Sequence, residues 1–241
     1  YEACTLTEEV LADPEQAIML WSQVRETDAA NQRALDAMER LLVQTERYED
    51  LVEFYLEQMT EQSGESLAAL RHRAGVALID KLSRVDDGVE QLVQNLDGEV
   101  VHQDSLEVLE SLMADVSFTT YDDHVCAMVL STLATLYAST ERWSDWFIVR
   151  ELLADRTERV DEKVEILLSV VVQQGLVETS DVAFETLKRL FLELPEHESV
   201  YGALSDFCAE HDTWVEFAGL VEDALEEHPG LSCAEVYLVR L

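Results

Sequence analysis

The sequence predicts an all-α protein, in the form of a right-handed α-solenoid of antiparallel helix pairs. The segment 45–51 (TERYEDL) recurs 95 residues later as 140–146 (TERWSDW), and in weaker form as 211–217 (HDTWVEF). Recurrence of this kind is typical of repeat architectures. Only 8 Gly and 3 Pro occur in 241 residues, of which 48% are hydrophobic, and this composition suits helices. Long stretches of period-two alternation are absent, so we expect essentially no strand.

The first helix begins where Asp13 caps and Pro14 occupies the first turn, since the missing N–H of proline costs nothing there. Two further helices follow, separated by the turns 27–31 and 45–47. Apolar residues at helical spacing define the three inward faces. These faces are Ala17, Ile18, Trp21 and Val24; then Leu35, Met38, Leu41 and Leu42; then Leu51, Tyr55 and Met59.

The same reasoning continues to the end of the chain. A turn at 62–66 precedes a helix that ends near residue 82, and a loop is expected at 98–104 before a helix that contains Leu106 and Leu109. The other predicted helices are 85–96, 122–138, 143–156, 161–174, 182–194, 199–210 and 215–227, with a last one after Gly230.

Internal alignment indicates a repeating unit of 34 to 37 residues that holds two helices. Residues 34–42 match 105–113 at an offset of 71, and Pro195 and Pro229 are 34 apart. Each unit resembles the tetratricopeptide repeat, whose pattern is W-x2-L-G-x2-Y, then A-x3-F-x2-A, then Pro. The copies are Tyr201-x2-Leu204-Ser205-x2-Cys208 with Phe217-x3-Val221-x2-Ala224 and Pro229, Leu130-x2-Leu133-Ala134-x2-Tyr137 with Trp143, and the half-copy Ala17-x3-Trp21-x2-Val24 with Ala29.

The copies are degenerate, and one spacing departs from the series. Units begin near 32, 69, 103, 127, 164 and 198, so the units at 103 and 127 start only 24 residues apart, too few for two helices and two turns. We therefore expect an irregular joint near 116–126, with one helix lost or merged and with Phe118 and Tyr121 as plugs of a local fold-back. The joint divides one continuous solenoid into an N-terminal half, 1–115, and a C-terminal half, 116–241.

The charge restricts the partners. The formal net charge is −35, from 51 acidic and 16 basic residues. A nucleic-acid groove needs clustered Lys and Arg, so we expect no nucleic-acid partner. The acidity has two interpretations: adaptation to salt, or a field that attracts basic partners. The apolar runs are too short for a membrane span, which needs about 20 residues.

Residues with catalytic or metal-binding chemistry do not form a recognisable pattern. His124 and Cys126 lie close together, but a nucleophile also needs a base held by a third group. Residues 210–212 (Glu-His-Asp) lack a second ligand pair at helical spacing. The four Cys show neither a C-x-x-C motif nor a disulfide framework. We predict no enzyme activity, no metal and no cofactor.

The candidate binding residues are Arg33, Arg40, Arg71, Asp206 and Glu210. The resemblance places the three Arg on first helices, which line the groove of such solenoids. There they would clamp a carboxylate or a peptide C-terminus. The alternative is pairing within a helix, because Asp36 precedes Arg40 by four residues and Glu65 lies near Arg71. Five aromatic residues stand at repeat positions, and most of them are expected to be core wedges, with a binding role as the alternative for any one: Trp21, Tyr48, Trp143, Trp146 and Trp214.

Repeat organisation without a reactive cluster predicts a non-catalytic scaffold that binds a protein or peptide segment, a basic one if the acidic field is functional. The alternative is a regulatory or substrate-recruiting arm of an enzyme, because the chain opens at Tyr1 and ends within an expected helix, as an excerpt of a longer protein would. With no targeting signal visible, we expect a cytoplasmic location.

Overall fold

A computed structural model describes residues 13–97, 101–177 and 180–227 of the chain. These residues form twelve α-helices and one short 3₁₀ helix, and no strand occurs among them, which confirms the all-α prediction for this part of the chain. The helices are α1 (Pro14–Thr27), α2 (Gln32–Gln44), α3 (Tyr48–Met59), α4 (Gly64–Asp80), α5 (Val85–Val93), α6 (Gln103–Ala114), the 3₁₀ helix (Val116–Thr120), α7 (Asp123–Ser139), α8 (Trp143–Arg156), α9 (Val160–Val177), α10 (Ser180–Glu193), α11 (Glu198–His211) and α12 (Trp214–Glu227).

The predicted helix bounds are accurate to within a few residues. Helix α8 has the predicted bounds, and α1 begins as expected, with the Asp13 carboxylate accepting the Gln16 N–H at 3.0 Å. Helix α6 begins inside the predicted loop 98–104, because the His102 side chain caps it by accepting from the Ser105 N–H. The helix predicted after Gly230 lies outside the described residues.

None of the helices in the described ranges is both long enough and apolar enough to cross a membrane.

The chain divides into two compact units, Tyr1–Thr132 and Leu133–Leu241, and the division falls within α7. Within each unit, helices pack against their sequence neighbours and in places against the next helix but one, as α4 does with α6 and α9 with α11. A hydrophobic cluster in the first unit includes Trp21, Leu41 and Tyr55. A cluster in the second includes Phe191 and Phe217, whose rings meet edge-on at 5.9 Å. Packing between sequence neighbours is the contact pattern that a repeat sequence predicts.

The recurring sequence segment forms a specific turn between helices. Its second residue, Glu46, Glu141 or Asp212, has a left-handed backbone with φ of 54°, 56° and 56°. The next residue's N–H then bonds a carbonyl five residues back, at 3.0 Å from Arg47 to Leu42 and 2.9 Å from Arg142 to Tyr137. This bond closes the preceding helix and redirects the chain into the next one.

Sequence comparison missed a related turn between α4 and α5, in which the N–H after the left-handed residue bonds a carbonyl six residues back rather than five. Ser83 has φ of 54°, and the Arg84 N–H bonds the Leu78 carbonyl at 2.9 Å. Arg84 then pairs with Asp87, as Arg142 pairs with Asp145, with 2.7 Å from the guanidinium Nε to the carboxylate in both. The Arg-x-x-Asp spacing is the sequence pattern that could have identified this turn, because its flanking residues differ from those of the other turns.

Helices α4 and α5 approach each other at two glycines. A Cβ on Gly88 would lie 2.5 Å from Ile79 Cγ1 and 2.8 Å from the Gly75 carbonyl oxygen. A Cβ on Gly75 would lie 2.9 Å from the Leu92 side chain. These distances are below van der Waals contact, so the crossing requires glycine at both positions.

At the expected joint, the 3₁₀ helix Val116–Thr120 follows α6. Its Asp115 cap accepts the Ser117 N–H at 2.7 Å, and hydrogen bonds to Ser117 lower the pKa of Asp115. Phe118 is 3% exposed and meets Tyr121 edge-on at 6.2 Å. Phe118 is therefore buried as predicted, whereas Tyr121 is only half-buried.

Candidate functional site

The structure places the five predicted binding residues in three settings. Arg33 and Arg40 are exposed on α2. Arg71, on α4, is partly buried and lines a cavity of about 640 Å³ to which neither of them contributes. Asp206 and Glu210 lie one turn apart on α11 and line a second cavity together. The cavity that Arg71 lines therefore does not bring the three Arg together.

Asn95, which lines the Arg71 cavity, belongs to a polar network between α4, the segment after α5, and α6. Asn95 Nδ2 donates to the Ala68 carbonyl at 2.8 Å and to Ser105 Oγ at 3.0 Å. Asn95 Oδ1 is buried and has no hydrogen-bond partner among the described residues. Glu65 also lines the cavity, so its charge opposes that of Arg71. The cavity is thus a weak candidate for a carboxylate clamp.

Two histidines share the Ser105 hydroxyl at the edge of this network. The Ser105 N–H donates to His102 Nδ1 at 3.3 Å, which requires an unprotonated Nδ1, and Ser105 Oγ lies 3.0 Å from the same nitrogen. His72 Nδ1 lies 3.3 Å from Ser105 Oγ. Burial lowers the pKa of His72, and the nearby His102 adds to the effect.

One arginine that links α4 to α2 is Arg73, which sequence reasoning missed. Its Nη1 lies 3.1 Å from Glu39 Oε2, and Glu39 Oε1 accepts from the Tyr55 hydroxyl at 2.9 Å. Burial and the Glu39 carboxylate raise the pKa of Tyr55. Residues 39 and 73 are 34 apart, which is one repeat length. Opposite charges at that spacing are the sequence pattern that could have identified this ion pair.

The cavity between α9 and α11 is the strongest candidate for a binding site. It has a volume of about 660 Å³ and lies over α10, whose Ala183 and Leu187 form its floor. We call it the α9–α11 groove. Helix α9 forms the apolar wall, where Val172 is 64% exposed and Leu176 75% exposed. Exposed aliphatic side chains beside a cavity are typical of interaction sites.

The opposite wall of the α9–α11 groove is aromatic and acidic. The Phe207 ring stacks on the Phe184 ring at 5.1 Å with an angle of 3° between the planes, and the His211 ring lies 4.2 Å from Phe207. Asp206 and Glu210 are exposed on this wall, and neither has an ion pair among the described residues. Three other acids of this unit pair with a basic side chain of another helix: Glu151 with Arg189, Asp161 with His197 and Glu193 with Lys163.

The two residue groups considered from the sequence for catalysis and for metal binding have different surroundings. Cys126 is buried, and its thiol donates to the Phe118 carbonyl at 3.3 Å, so a substrate cannot reach it. In the part of the chain that the structure describes, no three His, Cys, Asp or Glu side chains group closely enough to hold a metal ion.

The aromatic prediction is confirmed for Trp21, which is buried in the core of the first unit. Trp214, the first residue of α12, is 37% exposed and so is not a core residue. Trp143 and Trp146 are half-buried and meet edge-on at 6.1 Å.

Comparison of the sequence with known protein families and with curated proteins gives no match. The function therefore has to be inferred from the geometry described above.

Proposed function

We propose that this chain is a non-catalytic protein–protein interaction scaffold, built as a right-handed tetratricopeptide-like α-solenoid, that binds a protein or peptide segment in a groove. The observation that carries the proposal is the α9–α11 groove, where Val172 and Leu176 are exposed beside unpaired acids. Holding apolar side chains in water is unfavourable, and a partner that covered them would release that cost.

The recurring turn supports the repeat architecture. The same left-handed residue stands between consecutive helices at Glu46, Ser83, Glu141 and Asp212. A turn repeated in this way produces helix pairs of similar geometry, and stacking such pairs creates extended grooves rather than a closed active site.

The experiment is selection from a random-peptide library displayed on phage, with the purified chain as bait and bovine serum albumin as the counter-selection. We expect a family of related peptides that bind saturably at physiological salt and compete with one another. If no sequence family emerges after repeated rounds, the scaffold proposal is wrong.

A further inference from the structure

Resting on the proposed function, we propose that the α9–α11 groove binds the apolar face of a basic amphipathic helix from a partner protein. The groove offers one apolar wall, one acidic wall and a volume of about 660 Å³, within the range of known binding pockets.

The apolar wall defines what the partner inserts. Val172 and Leu176 stand one turn apart on α9, and the buried Ala183 and Leu187 lie below them. Aliphatic side chains of a partner would cover Val172 and Leu176 and fill the space above α10.

The acidic wall defines the charge of the partner. Asp206 and Glu210 lie on the groove, and no Lys or Arg is among the described residues that line it. A partner Lys or Arg beside the inserted aliphatic residues would pair with these two carboxylates. An acidic partner would place like charges against them, so the groove selects for basic segments.

The backbone of the groove favours a helix over an extended peptide. Its walls and floor are the helices α9, α10 and α11, whose interior backbone groups are already hydrogen-bonded. An extended peptide would press its own N–H and C=O groups against the apolar wall without partners. A helical partner satisfies its backbone internally and presents only side chains.

The test uses a fluorescein-labelled Leu/Lys peptide of about 14 residues, four helical turns, with Leu on one face and Lys on the other. Binding is measured by fluorescence anisotropy at about 0.15 M salt, where charges beyond roughly 8 Å are screened. We expect saturable one-to-one binding to the full chain. A Leu/Glu peptide of the same pattern should not bind.

Matched variants separate this groove from the general attraction of a chain with a net charge of −35. The double variant Asp206→Asn/Glu210→Gln should raise the Kd roughly five- to tenfold. Its control, Glu222→Gln/Glu226→Gln on α12, has the same spacing and charge change, and should raise the Kd less than about twofold. Leu176→Ser should raise the Kd about fivefold, whereas Val215→Ser, at a site 84% exposed outside the groove, should not.

Equal weakening by the two acid-to-amide pairs, or no effect of Leu176→Ser, would overturn the inference. Equally tight binding of an alternating Leu/Lys peptide, which forms a strand rather than a helix, would assign the groove to an extended partner instead. Failure of the Leu/Lys helix to bind would also reject the inference. The library selection would then decide separately whether the scaffold proposal stands.

Discussion

The crossing of α4 and α5 gives a sharp stability prediction at Gly88. Alanine there would place its Cβ 2.5 Å from Ile79 Cγ1 and 2.8 Å from the Gly75 carbonyl oxygen. The Ile79 side chain can rotate, but the carbonyl belongs to helical backbone, so the two helices must separate. Such overpacking lowers the free energy of unfolding by about 1–3 kcal/mol, and the higher helix propensity of alanine raises it by up to about 1 kcal/mol. We therefore expect Gly88→Ala to lower the free energy of unfolding by about 1–2 kcal/mol.

The control is Gly202→Ala on α11, where an added Cβ meets no atom within 4 Å. Here only helix propensity changes, so we expect Gly202→Ala to raise the free energy of unfolding by about 0.5–1 kcal/mol. Urea unfolding followed by circular dichroism measures both changes. Hydrogen exchange then shows whether the stability lost in Gly88→Ala is lost in α4 and α5. The close-approach reasoning is wrong if Gly88→Ala is as stable as the wild type, or if the two variants shift stability in the same direction.

Four further predictions concern pH, backbone, burial and salt. The pKa of His72 is lowered from 6.5, so as pH falls the unfolded chain binds that proton before the folded chain does. The stability contributed by neutral His72 is therefore complete above about pH 7 and declines as pH falls below 6.5. Plots of melting temperature against pH for the wild type and His72→Gln should differ in slope only below about pH 6.5. Glu141 has a φ of 56°, which glycine adopts freely and a β-branched residue does not. In urea unfolding, Glu141→Gly should leave stability unchanged or slightly higher, whereas Glu141→Val should lower it by about 1 kcal/mol or more. Equal effects of the two variants would contradict the left-handed turn. Phe118→Ala should lower the free energy of unfolding by about 3 kcal/mol, and Tyr121→Ala should lower it by clearly less. Calorimetry measures both changes, and the opposite ranking would contradict this prediction. The melting temperature should rise from low to molar NaCl, because screening relieves the self-repulsion of a net charge of −35; a flat or falling curve would contradict this.

Helix positions could be predicted from the sequence because they depend on local periodicity and capping. Trp143 through Arg156 reads as one helix between a repeated turn and a polar segment, and the structure agrees. The 3₁₀ helix at Val116–Thr120 could not be predicted, because its length carries no periodic signal and the Asp115 cap is equally compatible with an α-helix.

The candidate site was only partly accessible from the sequence. Asp206 and Glu210 were identified as candidate binding residues, and they do lie together on one cavity. Their apolar counterpart was not identified from the sequence: Val172 lies within the predicted helix 161–174, and Leu176 lies beyond its predicted end. Which face of α9 remains exposed depends on how α10 and α11 pack against it, and that information is not local in sequence.

The measurement that tests the central claim most directly is hydrogen–deuterium exchange of the full chain with and without the Leu/Lys helical peptide. The account predicts slower exchange in α9 and α11, on both walls of the α9–α11 groove, with little change in α1 to α3. Peptide binding that slows exchange equally along all acidic helices, or that leaves α9 and α11 unchanged, would contradict the claim that this groove recognises a protein segment.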